Sequence, residues 1–227
     1  MAVKVTWYSH ACCLIETDGT KLLIDPFLSG NPLAPIRADE VQADYILVSH
    51  GHQDHVGDAV AIAKRTGAIV ISNFEIHSWF VQQGITNSHA QHIGGGCNYP
   101  WGRVKLTIAH HGSKLPDGSD GGGPAGFLFY IGDKKIYDAC DTSLFYDMKL
   151  IGEEGIDLAI LPIGDNYTMG PDDALRAVQF IQPAQVVPIH YNTFDLIKQD
   201  PHAWARRVES ETTAKVVVLQ PGDTLEL

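Results

Sequence analysis

Apolar residues recur along the chain in short runs, and polar or glycine-rich breaks divide them. Val3–Tyr8, Cys12–Thr17 and Lys21–Ile24 read as strands, with the hairpin dipeptide Asp18-Gly19 between the last two. Asp44–Ser49 is a continuous apolar strand. Asp58–Arg65 follows as a helix stopped by Gly67, and Ala68–Ile71 returns as a strand. Ser72-Asn73-Phe74-Glu75 has capping-box spacing, Ser72 with Glu75, and opens a helix to about Gln83. From Val104 onward the pattern is strand-rich: Val104–Ile108, Phe127–Ile131, Lys134–Asp138, Asp157–Leu161 and Val186–Ile189. Gly112–Pro124 between the first two reads as a mobile loop. Pro171–Ile181 begins with proline and acidic residues, as a first helical turn should. Asp200-Pro201 caps a helix to about Ser210, and Lys215–Leu219 is a last strand ended by Pro221-Gly222.

Strands and helices mix with no linker, repeat or charge block between them, so residues 1–227 read as a single domain. The early hairpins argue against a purely parallel, doubly wound sheet. Two mixed β-sheets with helices outside, an α+β arrangement, fit better.

Composition adds little to that and narrows the function. The chain is 44% hydrophobic and 19% charged, an ordinary globular balance. No apolar stretch approaches the roughly 20 residues that span a bilayer. Met1-Ala2-Val3-Lys4-Val5 reads as a first strand rather than a signal sequence, so the expectation is a cytoplasmic protein without a membrane partner. A net charge of −11 with scattered Lys and Arg disfavours long nucleic acid as a partner. Cys12, Cys13, Cys97 and Cys140 form no CxxC pair, so a thiolate zinc knuckle is not expected.

Chemistry concentrates in His50-Gly51-His52-Gln53-Asp54-His55, directly after the strand Asp44–Ser49. Imidazole nitrogens and carboxylate oxygens suit divalent transition metals, and four such groups exceed what one tetrahedral ion uses comfortably. His50 and His52, two apart, point the same way in extended backbone; Asp54 and His55 follow once the chain turns. Other strands also run into metal-competent residues: Asp25, the pair His110-His111, Asp141 and His190. A solvated histidine-rich loop is the plain alternative, but it does not explain repeated strand-to-ligand junctions. His77, His89, His92 and His202 show no ligand spacing.

HxHxDH after a hydrophobic strand resembles the metallo-β-lactamase superfamily. The resemblance extends to Asp25-Pro26, to Leu161–Pro171 and to Pro188–Phe194, and there it is similar to the UPF0173 metal-dependent hydrolases, near the ascorbate-6-phosphate lactonase group. It implies a four-layer αββα sandwich and a dinuclear centre. By the resemblance, His50, His52 and a histidine of the 110–111 pair would bind the first ion. Asp54, His55 and His190 would bind the second, and Asp141 would bridge both. The pattern Ala109-His110-His111-Gly112-Ser113 favours His111, with His110 as the alternative. Asp25 would brace the histidine loop, His10 would line the pocket as a candidate leaving-group acid, and Asp165 would sit at its rim. Cys140 stands where many relatives carry glycine.

Two divalent ions about 3.5–4 Å apart would share a hydroxide that attacks a carbonyl carbon or phosphorus, with Asp54 helping to orient it. Zinc is the first choice, with manganese, nickel or iron as alternatives. The expected activity is hydrolysis of a small ester, lactone or phosphodiester. A nuclease-type phosphodiesterase and a metal-binding sensing module without turnover are the competing readings. The expected partner is a small-molecule substrate, and a homo-oligomer stays open.

Overall fold

The computed structural model describes residues 2–227, so Met1 of the expected opening strand lies outside them. Two seven-stranded mixed sheets form the frame. In the first, β1 (Val3–Trp7), β2 (Cys13–Thr17) and β3 (Thr20–Ile24) are an antiparallel meander. Then β4 (Tyr45–Leu47), β5 (Ile69–Asn73) and β6 (Ser88–Gln91) add in parallel. In the second, β7 (Gly96–Tyr99), β8 (Gly102–Ile108), β9 (Ala125–Ile131) and β10 (Lys134–Asp138) are antiparallel. They are followed in parallel by β11 (Leu158–Pro162), β12 (Gln185–Ile189) and β13 (Lys215–Val216). Finally β14 (Thr224–Glu226) returns to pair with β1. Both sheets thus share one strand plan, although the sequence shows no repeat.

Period-two alternation explains the layers. Leu22, Ile24, Tyr45 and Leu47 join Val104, Leu106, Phe127 and Phe129 of the other sheet in one buried cluster. The intervening Leu23 and Ile46 face the opposite way, into a second cluster with helix residues Ile62 and Phe80. Those come from α2 (Ala59–Thr66) and α3 (Phe74–Gln82), which follow the one-turn α1 (Gln53–Val56). On the second sheet, α4 (Met148–Gly152), α5 (Pro171–Ile181) and α6 (Pro201–Glu211) pack Met148, Val178, Trp204 and Val208. Every residue of β11 is buried, as a strand covered on both faces requires. The architecture is α+β: two sheets face to face with helices outside. No helix among the described residues is long and apolar enough to cross a membrane.

Local signals explain most element ends. Asp18 (φ 46°) and Gly19 (φ 80°) take the positive φ of a two-residue hairpin turn. Asp200 accepts hydrogen bonds from the amides of His202 and Ala203 and starts α6. The cap of α3 departs from expectation. Asn73, not Ser72, accepts from the amide of Ile76 (2.8 Å), because the Ser72 hydroxyl donates to the carbonyl of Val48, just past the end of β4. The unforeseen strands β6, β7 and β14 are all short and lie at sheet edges, and β13, another edge, stops three residues sooner than expected. Edge strands bury too little on either face to leave a clean alternation.

Gly112–Pro124, expected to be mobile, is anchored. Leu115 is buried in the second cluster, beside α3, the Trp79 indole donates to Asp117 (2.7 Å), and the Asn73 amide donates to the carbonyls of Gly121 and Gly123.

Candidate metal centre

The carboxyl ends of the strands gather the predicted groups. β4 runs into His50 and His52, β8 toward His111, β10 toward Asp141 and β12 into His190. Several non-glycine residues there adopt left-handed backbone: His10 (φ 54°), Asp25 (φ 42°), Cys140 (φ 49°) and His190 (φ 56°). Each such residue costs about 1–2 kcal/mol, so the surrounding packing must impose it, and such outliers cluster at functional sites. Gly51 brings the histidine loop close to the 112–124 loop: a Cβ there would stand 2.7 Å from the carbonyl of Ser113.

Asp141 is the meeting point. Its Oδ2 lies 3.1 Å from His190 Nε2, 3.2 Å from His55 Nε2 and 3.5 Å from His111 Nε2. Two groups of potential ligands flank it, His50 with His52 and His111, and Asp54 with His55, His190 and His10. Within each group the ligand atoms lie within 4.8 Å of one another. His50 Nε2 and His52 Nδ1 face each other at 3.0 Å.

A buried hydrogen-bond layer orients the rings. Asp25 accepts from the Ser49 amide (2.8 Å), the Ser49 hydroxyl (2.5 Å) and His55 Nδ1 (2.8 Å). Since the Ser49 hydroxyl gives its one proton to Asp25, it accepts from His50 Nδ1 at 2.9 Å. Both histidines therefore present Nε2 to the site, the arrangement metal-bound histidines need. His10 lies behind Asp54. Burial, and then His190, push its ring down to about 4 despite the Asp54 hydrogen bond, so it is neutral near pH 7. Its Nε2–H then donates to Asp54 (3.1 Å), and Nδ1 accepts from the Thr193 hydroxyl (3.1 Å).

The electrostatics are those of a cation site. Burial, reinforced by His55, holds His50 well below the ordinary histidine value, and burial likewise lowers His52 and His111. Burial opposes charge on Asp54 and Asp141 too, but their histidine neighbours outweigh it and keep both carboxylates ionised. For His55 burial is outweighed by Asp141 and Asp25, and its ring is raised. His190 Nδ1 and Asp141 Oδ1 are buried without partners, and His55 Nε2 and His190 Nε2 are close to Asp141 Oδ2 but not in hydrogen-bond geometry. An orphaned buried polar atom costs about 1–3 kcal/mol. Several of them around one point, all nitrogen or oxygen, fit divalent ions.

The remaining predicted residues sort as follows. The His110 side chain packs on Phe145 (5.3 Å between centroids) outside both groups. Asp165 is exposed, accepts from the Asn166 amide and does not line the cavity; Tyr167, two residues on, does. The Cys140 thiol sits 3.5 Å from Asp138 Oδ1, and burial and Asp138 push its pKa up, so it stays protonated. Sequence reasoning missed Ser49, Thr193, Tyr167 and Phe194. The first two carry no signal beyond adjacency to His50 and closeness in sequence to His190, and the aromatics read as ordinary apolar positions. The cavity over the centre measures about 220 Å³, and Tyr167 and Phe194 wall it beside the histidines.

A family model described as a beta-lactamase superfamily domain matches residues 4–190. A UPF0173 metal-dependent hydrolase of Heliobacterium modesticaldum is 52% identical over 99% of this chain and 98% of its own length. Igni18, a metallo hydrolase of Ignicoccus hospitalis, superposes with a TM-score of 0.92 at 37% identity, covering 100% of this chain and 99% of its own. An isothiocyanate hydrolase from Delia radicum gut bacteria shares the fold (TM-score 0.78, 21% identity, 98% of each chain). With the histidine loop, the two sheets and full-length relatives in agreement, the chain belongs to the UPF0173 metal-dependent hydrolase family of the beta-lactamase superfamily.

Proposed function

We propose that the chain is a dinuclear metal-dependent hydrolase of small esters, lactones or phosphodiesters. His50 Nε2, His52 Nδ1 and His111 Nε2 would hold one ion, Asp54, His55 and His190 the other, and Asp141 both. The observation that carries this reading is the convergence of three imidazole nitrogens on one Asp141 oxygen, with a ligand group on either side. Bound there, two divalent ions would supply an activated water and would polarise the scissile group. Zinc suits the all-nitrogen-and-oxygen donor set first, then manganese, nickel or iron.

The chain's own residues do the rest. Asp25 and Ser49 fix the tautomers of His50 and His55, which leaves Nε2 free on each. His10 orients Asp54. Its ring is buried and both its nitrogens are engaged, which supports a positioning role over that of leaving-group acid. Asp54, whose side chain is 32% exposed, is the carboxylate open to an incoming water. One domain, a cytoplasmic setting and a small-molecule substrate belong to the same proposal.

The test is elemental analysis combined with a panel of phenyl esters, lactones and aryl phosphodiesters, with and without added metal. Two ions per chain and metal-dependent turnover are expected. Asp141→Ala should lose most of the bound metal. Two ions retained in that variant would remove Asp141 from the shared position.

A further inference from the structure

We propose that this site selects small uncharged carboxylic esters or lactones bearing one apolar, planar group, and that Tyr167 and Phe194 read that group. The inference rests on the hydrolase reading above and narrows its substrate class.

Charge is the first argument. The carboxylates Asp54 and Asp141 line the cavity, and no lysine or arginine does so. Lys198, near Phe194 in sequence, pairs with Asp195 at 2.7 Å. Two divalent ions would attract the reacting group itself, but a substrate carboxylate or phosphate held away from them would lose water and meet no lysine or arginine. The chain's net charge of −11 opposes its approach as well.

Two aromatics at the mouth are the second. Tyr167 is 52% exposed and Phe194 39%, and both line the cavity. Phe194 is fixed on its inner side by His10 (5.4 Å) and Phe27 (6.3 Å), which leaves the rest of the ring open. Tyr167 is carried by the left-handed residues Asp165 (φ 62°) and Asn166 (φ 52°) and touches no other ring among the described residues. Partly exposed aromatics in a cavity wall offer apolar, planar contact.

Volume is the third. The cavity measures about 220 Å³, part of which two ions and their water would fill. That is below the roughly 300–1,000 Å³ of drug-sized pockets, so one ring or a short acyl chain fits beside the reacting group. In the reaction the water oxygen bonds to the acyl carbon and the acyl C–O bond breaks. The leaving alcohol takes one water proton, and the acid releases the other to solvent.

The experiment compares matched pairs on the zinc-loaded protein: phenyl acetate with 4-acetoxybenzoate, and, for binding without turnover, acetanilide with 4-acetamidobenzoate by ligand-observed NMR. The uncharged member should win at least tenfold in kcat/KM and in binding. Phe194→Ala and Tyr167→Ala should each raise KM for phenyl acetate and weaken acetanilide at least fivefold with both metals retained. Phe194→Lys should narrow the gap between the pair. Equal kcat/KM for the two esters, or KM unmoved by both alanine variants, would overturn the selectivity and leave the hydrolase reading standing. No turnover of any ester, lactone or phosphodiester by protein holding two ions would overturn both.

Discussion

Asp25 has no solvent contact, yet Ser49 and His55 engage both its oxygens, and through them two histidines are aimed at one point. The 110–111 pair shows the same dependence on local geometry. The two histidines are neighbours in sequence, but only His111 faces Asp141. His111→Ala should therefore drop bound metal from two ions toward one, and His110→Ala should leave it unchanged, as measured by elemental analysis after dialysis. The reverse order would move the ligand to His110. Asp138 offers a test of a different kind. Burial raises its carboxyl to about 7, against about 3.9 in an unfolded chain. The folded state keeps a proton that the unfolded state has already released, so this group's contribution is fully present below pH ~4 and is lost as pH rises toward 7. The loss is of order 4 kcal/mol at ~1.4 kcal/mol per unit. Asp138→Asn removes that slope. In urea unfolding of the metal-free proteins, the variant should gain on the parent by a few kcal/mol between pH 4.5 and 7.5. Parallel curves would contradict the raised value.

At the scale of elements, the 112–124 loop behaves as part of the frame. Ser113 accepts from the Gly51 amide and donates to the carbonyl of Gly121, so the loop ties the histidine stretch to its own far side. Leu115, 3% exposed, is its apolar anchor. Leu115→Ala should cost about 2 kcal/mol, the low end for a buried leucine, and open the loop to proteolysis near residues 116–120. Unchanged cleavage would mean that the hydrogen bonds alone hold it. The composition of this stretch suggests mobility because glycine and aspartate are loop residues. One leucine and a neighbouring helix face decide otherwise. The edge strands teach the converse: β6, β7 and β14 exist because a neighbour offers a ladder, and no signal within their own few residues announces them.

For the molecule as a whole, the proposed centre spans the two sheets. His50, His52, Asp54 and His55 follow β4 of the first, while His111, Asp141 and His190 follow β8, β10 and β12 of the second. Ions there would bind the folded state alone. At a hundredfold excess over Kd, each would add about 2.7 kcal/mol of stability. For a chain of this length ~1 kcal/mol corresponds to about 2–4 °C. Chelation should thus lower Tm by at least about 5 °C, and zinc should restore it. A Tm indifferent to chelator, in protein shown by elemental analysis to have lost its metal, would deny that metal joins the sheets.

By itself the sequence determined the order of the interior elements and, through its resemblance, the αββα class, and it named candidate ligands for the proposed centre, because apolar alternation and ligand spacing are local properties. Tertiary structure decided how these residues are used. It set which histidine of the 110–111 pair faces Asp141, and it committed His10 to Asp54 and Thr193. It also passed over Asp165 for Tyr167 and placed Phe194 at the mouth. Those outcomes depend on left-handed turns at strand ends and on contacts between distant segments, and both arise only when the two sheets pack together.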